Sequence, residues 1–274
     1  MKDIKVYNQL SKEYNQLFLE NILSFQTKLK EDGKAGEYYI DFYPSFGIAE
    51  NEHADFLVYG QAANGWGSGF EIATPIDIDN KLSESILASN KYFEPLNHNP
   101  LDFINVQWDM YSYEEYLLKD VGVKDFYKGN YRANRSFFWN VVFKLINDYY
   151  GTDRNQSSWS SKLVWSNLYK IAPEDANPSD YEQNIQMEYS IKLLELEIKE
   201  VKPKYCIILT NGKWWEPFGK ALIQNFPTIQ ELPSKIHYNE KFDSTKIIVT
   251  ERPRFGGHKL QDLFVHQILS LIKS

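Results

Sequence analysis

Amide, glycine and aromatic residues follow one another directly after an apolar segment near residue 60. The stretch A-D-F-L-V-Y-G-Q-A-A-N-G-W-G-S-G, residues 54–69, holds four glycines within ten residues, with Gln61, Asn64 and Trp66 among them. An amide can orient water or read a polar ring edge, and an aromatic face can stack on a ring. Glycine lets a ligand approach the backbone closely. This glycine loop therefore predicts a ligand site, with a tight surface turn as the alternative.

The glycine loop differs from the known phosphate-binding loops. It lacks the Lys-Ser/Thr ending of a P-loop and the Gly-x-Gly-x-x-Gly order of a dinucleotide-binding fold. The chain also lacks a Gly-x-Ser-x-Gly elbow, which argues against a serine hydrolase. We therefore expect no cofactor at this loop.

A further amide, Asn167, lies in the apolar segment K-L-V-W-S-N-L-Y, residues 162–169. An amide at a strand end offers both a donor and an acceptor, which is what reading the edge of a nucleobase requires. A helix cap or a turn residue is the alternative interpretation of Asn167.

Basic residues follow the last apolar segment. The stretch T-E-R-P-R-F-G-G-H-K, residues 250–259, contains Arg252, Arg254, His258 and Lys259. Cations in this place would hold a phosphate or support a leaving anion, and a solvated basic loop is the alternative. The other histidines have no ligand-like spacing, and one cysteine cannot build a multi-thiolate site, so we expect no metal.

Composition limits the class of protein. The chain has 274 residues, of which 43% are apolar and 24% charged, as in soluble globular proteins. The net charge of −7 argues against a generally basic nucleic-acid binder, although residues 201–274 hold 11 basic and 6 acidic residues. We find neither a run of about 18 apolar residues nor a signal-peptide core, so we expect a cytoplasmic protein without a membrane span.

Apolar periodicity predicts alternating strands and helices. Helical spacing covers residues 6–31, 134–150, 180–201, 212–225 and 257–272, and short apolar runs predict strands over residues 56–59, 162–169, 205–210 and 246–250. Such alternation implies parallel strands with right-handed crossovers. We therefore expect one domain over residues 1–274: a three-layer α/β/α sandwich with a central, mainly parallel four-stranded sheet. Residues 1–50 would be a helical extension and residues 70–130 a loop-rich insertion.

The predicted strands bring the candidate residues to one place. In parallel sheets, ligands lie beyond the carboxyl ends of the strands. Four loops meet this condition, at residues 60–69, 167–173, 211–215 and 251–258. We expect the site there.

Together, these motifs resemble the uracil-DNA glycosylase superfamily. L-V-Y-G-Q-A-A-N-G-W-G is similar to its first motif, and V-W-S-N-L-Y-K-I-A-P to the second, whose asparagine recognises the base. N-R-S-F-F-W-N-V-V-F-K-L-I resembles a helix with an Arg-x-Phe-Trp pattern, and K-P-K-Y-C-I-I-L-T-N-G-K-W-W resembles the third strand segment. V-T-E-R-P-R-F-G-G-H-K stands where the family has a His-Pro-Ser loop. The resemblance runs from about residue 50 to the C-terminus.

The resemblance implies hydrolysis of the N-glycosidic bond of uracil or another damaged base in DNA, either double- or single-stranded. The base is flipped from the stack and held between an aromatic ring and polar groups. The implied roles are water positioning by Gln61 or Asn64, base recognition by Asn167, stacking by Trp66 or Phe70, leaving-group stabilisation by Arg252 or His258, and phosphate contact by Arg254 and Lys259. No iron–sulfur cluster fits a chain with one cysteine.

Departures from the family pattern keep two alternatives open. Gln61, Ala62 and Ala63 stand where the family holds a carboxylate or asparagine, and an amide is a poor general base. Arg252 aligns with the family histidine. The chain is accordingly either such a glycosylase, a catalytically inactive nucleobase- or nucleic-acid-binding protein of the same fold, or an N-glycosidase acting on free nucleosides.

Overall fold

The computed structural model describes most of the chain. For residues 236–240 and His258 it describes the backbone alone. Asn64, Arg254 and residues 91–130 of the predicted insertion lie outside the described residues. The described ranges are 9–47, 53–63, 65–90, 136–151, 161–223, 236–252 and 258–273.

Helices and strands alternate along most of the described chain. The helices are α1 (Lys12–Glu31), α2 (Ile78–Asn90), α3 (Phe137–Tyr150), α4 (Asp180–Val201), α5 (Gly212–Leu222) and α6 (His258–Lys273). The strands are β1 (Tyr38–Asp41), β2 (Ser45–Phe46), β3 (Phe56–Ala62), β4 (Ser68–Glu71), β5 (Leu163–Tyr169), β6 (Ile171–Pro173), β7 (Tyr205–Ile208), β8 (Ile236–Phe242) and β9 (Thr245–Thr250).

The larger sheet is mainly parallel. Its strand order is β2-β5-β3-β7-β9-β8, and the four inner strands run in the same direction. Val58 in β3 lies opposite Trp165 on one side and Ile207 on the other. These inner strands contain the four apolar runs of the sequence, which confirms the α/β class and the mainly parallel sheet.

The larger sheet has six strands where four were predicted. β2 and β8 flank the parallel strands in antiparallel orientation. β2 has only two residues, and the sequence of β8, I-H-Y-N-E-K-F, is half polar. Neither strand therefore carries the continuous apolar run by which buried parallel strands are recognised.

The N-terminal region contains more than a helical extension. β1 pairs with both β4 and β6 in a second, three-stranded antiparallel sheet. β6 follows β5 after a single residue, so the small sheet continues directly from the large one. The start of the predicted loop-rich insertion also forms regular structure, in β4 and α2. None of the helices among the described residues is long and apolar enough to span a membrane.

α1 packs in antiparallel orientation along α4. The Ser11 hydroxyl caps α1, and Ser179 forms a capping box with Glu182 at the start of α4. The buried residues of α1 recur at helical spacing, as Tyr14, Phe18, Ile22, Phe25 and Leu29. This apolar stripe covers the second hydrophobic cluster of the molecule, which also includes residues of β1, β4 and α4.

Side chains alternate between the two faces of the large sheet. Phe56 of β3 packs against Tyr149 of α3 with ring centroids 5.1 Å apart, whereas the Tyr59 hydroxyl donates to Glu197 of α4 at 2.6 Å. Successive strand residues point to opposite faces, and register partners point to the same face. We call the side of Phe56 and Val58 the α3 face, and the side of Leu57 and Tyr59 the α4 face.

Candidate functional site

Asn167 lies near the carboxyl end of β5, beside Gly60 of β3. The two residues are register partners in the parallel ladder. A Cβ on residue 60 would lie 2.5 Å from Asn167 Oδ1 and 3.9 Å from Cε2 of Phe138 in α3. The Asn167 side chain and the space above Gly60 that it occupies are therefore on the α3 face. Glycine at position 60 makes room for the asparagine side chain.

The Asn167 amide is buried with its donor unsatisfied. The residue is 2% exposed, and Nδ2 has no hydrogen-bond partner among the described residues. Leaving a buried donor unpaired costs about 1–3 kcal/mol. Asn21 of α1 and Ser190 of α4 also hold buried polar atoms without a partner among the described residues, so the position of Asn167 at the carboxyl edge of the parallel strands is what distinguishes it. A ligand that accepts a hydrogen bond there would pair the Asn167 donor.

Several aromatic rings pack together beside β5 on the same α3 face. Trp165, two residues before Asn167, packs edge-on against Trp139 at 4.7 Å and against Trp66 at 5.5 Å. Trp66 and Phe138 are half-buried, whereas Trp165 is 4% exposed. The site thus combines an unsatisfied amide with two partly accessible rings. Trp66 is joined to β5 through Trp165, two residues before Asn167.

Gln61 lies on the other face of the sheet. It follows Gly60 in β3, so its side chain points to the α4 face. Its Nε2 donates to the carbonyl oxygen of Thr210 at 3.3 Å, and its Oε1 accepts from Asn177 Nδ2 at 3.5 Å. The sheet therefore separates Gln61 from the Asn167 side chain.

Phe70 is also apart from Asn167. It lies in β4 and is 7% exposed. Its ring packs against Tyr39 at 6.3 Å, with Lys81 Nζ 5.2 Å from the ring centroid. These contacts place Phe70 in the second hydrophobic cluster, within the small sheet.

Packing within the protein explains why some positions of the glycine loop are glycine. Gly67 has a φ of +138°, and a Cβ there would lie 2.0 Å from the carbonyl oxygen of Asp41 in β1. Residues other than glycine rarely adopt that backbone conformation. Gly67 therefore leaves room for the backbone of β1. In the same way, Gly60 leaves room for the side chain of Asn167.

The predicted basic residues follow the last strand of the sheet. Arg252 is exposed two residues after β9, and Lys259 is exposed in the first turn of α6. His258 begins α6, with only its backbone described. Among the described residues, we find no group of three His, Cys, Asp or Glu side chains that could hold a metal ion.

A buried ion pair lies below Asn167, on the α4 face. Lys170 Nζ is 2.6 Å from Glu197 Oε1, and neither side chain is exposed. The hydroxyls of Tyr14 and Tyr59 donate to the same carboxylate, at 2.5 and 2.6 Å. Burial lowers the pKa of Lys170 despite the opposing effect of Glu197, and burial with Glu197 raises the pKa of both tyrosines.

This ion pair was not predicted from the sequence. The available signal was Lys170 itself, a lone charge within the apolar stretch L-Y-K-I-A.

Cys206 of β7 is fully buried, and burial together with Glu197 raises the pKa of its thiol. Because the thiolate is the reactive form, this cysteine is a poor nucleophile.

Two open clefts lie on the outer surface of α1, away from the sheet. A cleft of about 360 Å³ lies between α1 and α4, and one of about 390 Å³ between α1 and α2. Only helical residues line them, including Leu19, Leu23 and Ile78 in the second cleft. Neither cleft contains a polar residue predicted for the site.

The chain matches no known protein-family profile and is significantly similar to no curated protein sequence.

Proposed function

We propose that this protein binds a nucleobase on the α3 face, with the Asn167 amide reading the polar edge of the base. The observation that carries the proposal is the buried Asn167 Nδ2 without a partner among the described residues, on the same face of the sheet as Trp165, whose ring packs against the half-buried Trp66. The resemblance to uracil-DNA glycosylases supports the same role for this asparagine. We also propose the three-layer arrangement of that family, since α3 and α4 contact opposite faces of the sheet.

The chemistry of the site selects planar ligands with hydrogen-bond acceptors. The donor at Nδ2 suits a carbonyl oxygen or ring nitrogen on a base edge. Trp66 or Phe138 offers a face for stacking, which contributes about 1–3 kcal/mol per base. A base on one strand of DNA or a free nucleoside would satisfy both groups.

Binding is favoured over bond cleavage by the position of Gln61. A hydrolase needs a water-positioning group on the side of the ligand, and Gln61 points to the opposite face. On the α3 face, Phe138 lies near Gly60, and Trp165 packs against both Phe138 and Trp66. The protein is thus best interpreted as a binding protein of the glycosylase-like fold.

Glycosylase activity remains the second candidate. It is favoured by the placement of Asn167 beside Gly60 at the carboxyl edge of the parallel strands, as the resemblance implies. Asn64 would then position water, and Arg252 or His258 would stabilise the leaving base. Arg254 and Lys259 would contact phosphates of a DNA strand.

The deciding experiment compares wild type with Asn167→Leu. Tryptophan fluorescence would be titrated with uracil, uridine and a short single-stranded oligodeoxynucleotide containing uracil. Leucine has a similar volume and removes the unsatisfied donor, so we expect at least tenfold weaker binding without loss of stability. Asn177→Ala, an exposed change on the α4 face, is the control.

The outcomes separate the candidate functions. Binding that needs Asn167, without release of base, supports the binding protein. Release of uracil by wild type but not by Asn167→Leu supports the glycosylase. Equal binding by wild type and Asn167→Leu, or no binding of any probe, would refute the proposed role of Asn167.

A further inference from the structure

Lys170 uses all three of its ammonium protons inside the protein. Its Nζ donates to Glu197 Oε1 at 2.6 Å, to Ser166 Oγ at 2.6 Å and to the main-chain oxygen of Asn167 at 2.7 Å. An ammonium group has three donors and no acceptor. The third of these bonds is made with the candidate base-reading residue, on its backbone.

Glu197 holds Lys170 from α4. Its Oε1 also accepts from Tyr14 of α1, and its Oε2 accepts from Tyr59 of β3. Tyr14, Tyr59 and Glu197 are all fully buried. The Lys170 ammonium group therefore bonds directly to α4 and β5, and Glu197 links it to α1 and β3.

Stability alone does not explain a buried ion pair in this place. Replacing such a pair by apolar residues is often neutral or stabilising, because both charges lose their hydration. A buried pair that persists can instead serve to specify one geometry. Here the geometry is that of the peptide group of Asn167, which Lys170 contacts from the α4 face while the side chain lies on the α3 face.

We infer that Lys170 is a positioning residue: it fixes the peptide group of Asn167 so that the amide side chain keeps its orientation on the α3 face, with Glu197, Tyr14 and Tyr59 holding Lys170 in turn. The expected effect of this positioning, tighter binding of a base, rests on the proposed function. The orientation of Asn167 itself does not depend on any ligand.

The test removes the ion pair without leaving one charge unpaired, in the double variant Lys170→Met/Glu197→Gln. The side-chain NH₂ signals of Asn167 are measured by NMR in ¹⁵N-labelled protein without ligand, and are assigned by their loss in Asn167→Leu. Uridine binding and the urea midpoint are measured on the same samples. We expect shifted or broadened Asn167 signals and at least tenfold weaker uridine binding by the folded protein.

A second buried pair provides the matched control. Lys81 of α2 and Asp41 of β1 have side chains that are 4% and 0% exposed, and Lys81 Nζ lies 2.5 Å from Asp41 Oδ2. Lys81→Met/Asp41→Asn should change stability to a similar extent but leave the Asn167 signals and uridine binding unchanged. Equal effects of both double variants on these two readouts would reduce Lys170 to a structural role.

The remaining outcomes are also decisive. Unchanged Asn167 signals in Lys170→Met/Glu197→Gln would overturn the inference. If wild type binds no uridine but the Asn167 signals of Lys170→Met/Glu197→Gln differ from those of wild type, the proposed function fails and the positioning role stands. If the double variant does not fold, the single variant Glu197→Gln is measured instead. Its one amide oxygen can accept from only one of the two tyrosines, and the loss of the negative charge weakens the hold on Lys170. It should then move the same signals by a smaller amount, and unchanged signals would refute the role.

Discussion

Asn167 fills the space that a side chain on Gly60 would occupy. Its Oδ1 lies 2.5 Å from the position of a Cβ on residue 60, in the adjacent parallel strand. The strand register thus couples the first two sequence motifs directly. A change at either residue must affect the other.

Gly60→Ala is expected to displace the Asn167 side chain. Overpacking of a buried position costs about 1–3 kcal/mol, and the displaced amide should bind uridine at least tenfold more weakly. Urea unfolding and fluorescence titration measure the two effects. Gly36→Ala is the control, because a Cβ at Gly36 meets no atom within 4 Å. Normal binding by Gly60→Ala would show that the Asn167 amide has no part in the site.

Gln61→Ala distinguishes the two faces of the sheet. Gln61 bonds to Thr210 and Asn177 on the α4 face, so we expect uridine binding to stay close to that of wild type, because the sheet separates the Gln61 side chain from that of Asn167. The measurement is a titration beside a base-release assay on the uracil oligonucleotide. Release of base by wild type that Gln61→Ala abolishes would restore the water-positioning role expected from the sequence.

Tyr14→Phe tests how firmly α1 is joined to the rest of the fold. The change removes a buried hydrogen bond to a carboxylate, and bonds to charged groups contribute about 1.5–3 kcal/mol. The urea midpoint should fall accordingly. Tyr181→Phe removes an exposed hydroxyl that bonds to Asp32 and should have little effect. Equal midpoints for the two variants would argue against the importance of the buried network.

Glu182 should make the protein sensitive to acid. Burial alone would raise the pKa of Glu182, but hydrogen bonds from Tyr39 and from Ser179 outweigh it and lower the pKa below the ordinary value of 4.5. A lowered folded-state pKa stabilises the protein above pH 4.5, and this stability is lost as the pH falls through the folded-state value.

The measurement is urea unfolding of wild type and Glu182→Gln between pH 3 and pH 7, a range chosen about the ordinary carboxylate pKa. Wild type should be the more stable at pH 7, and the difference should shrink below about pH 4.5. Glu188→Gln, an exposed change in the same helix, is the control. A difference that stays constant with pH would contradict the role given to the Glu182 carboxylate.

The sequence predicted those elements whose signals are local. α4 spans residues 180–201 as expected, because Ser179 supplies a capping signal and the apolar spacing is helical throughout. The inner strands were recognisable as continuous apolar runs. β1, β4 and β6 have only three or four residues each, so the small sheet depends on long-range pairing that a local pattern does not contain.

It was harder to predict which candidate side chains share a face of the sheet than to predict the edge at which they lie. The sequence placed Gln61 and Asn167 at the same edge of the sheet, but their side chains point to opposite faces because Asn167 pairs with Gly60. A register shift of one residue would reverse this outcome. Phe70 was likewise separated from the site by β4, a strand that was not predicted.

The contact between Tyr14 and Glu197 also constrains how the protein is made. The two residues are 183 positions apart, so α1 leaves the ribosome long before its partner helix exists. At about 5–20 residues per second, this interval is roughly 10–40 s. Until α4 is synthesised, the apolar stripe of α1 can be covered only in part, by residues such as Tyr39 and Tyr43, and a nascent chain that stops before α4 exposes the rest of it.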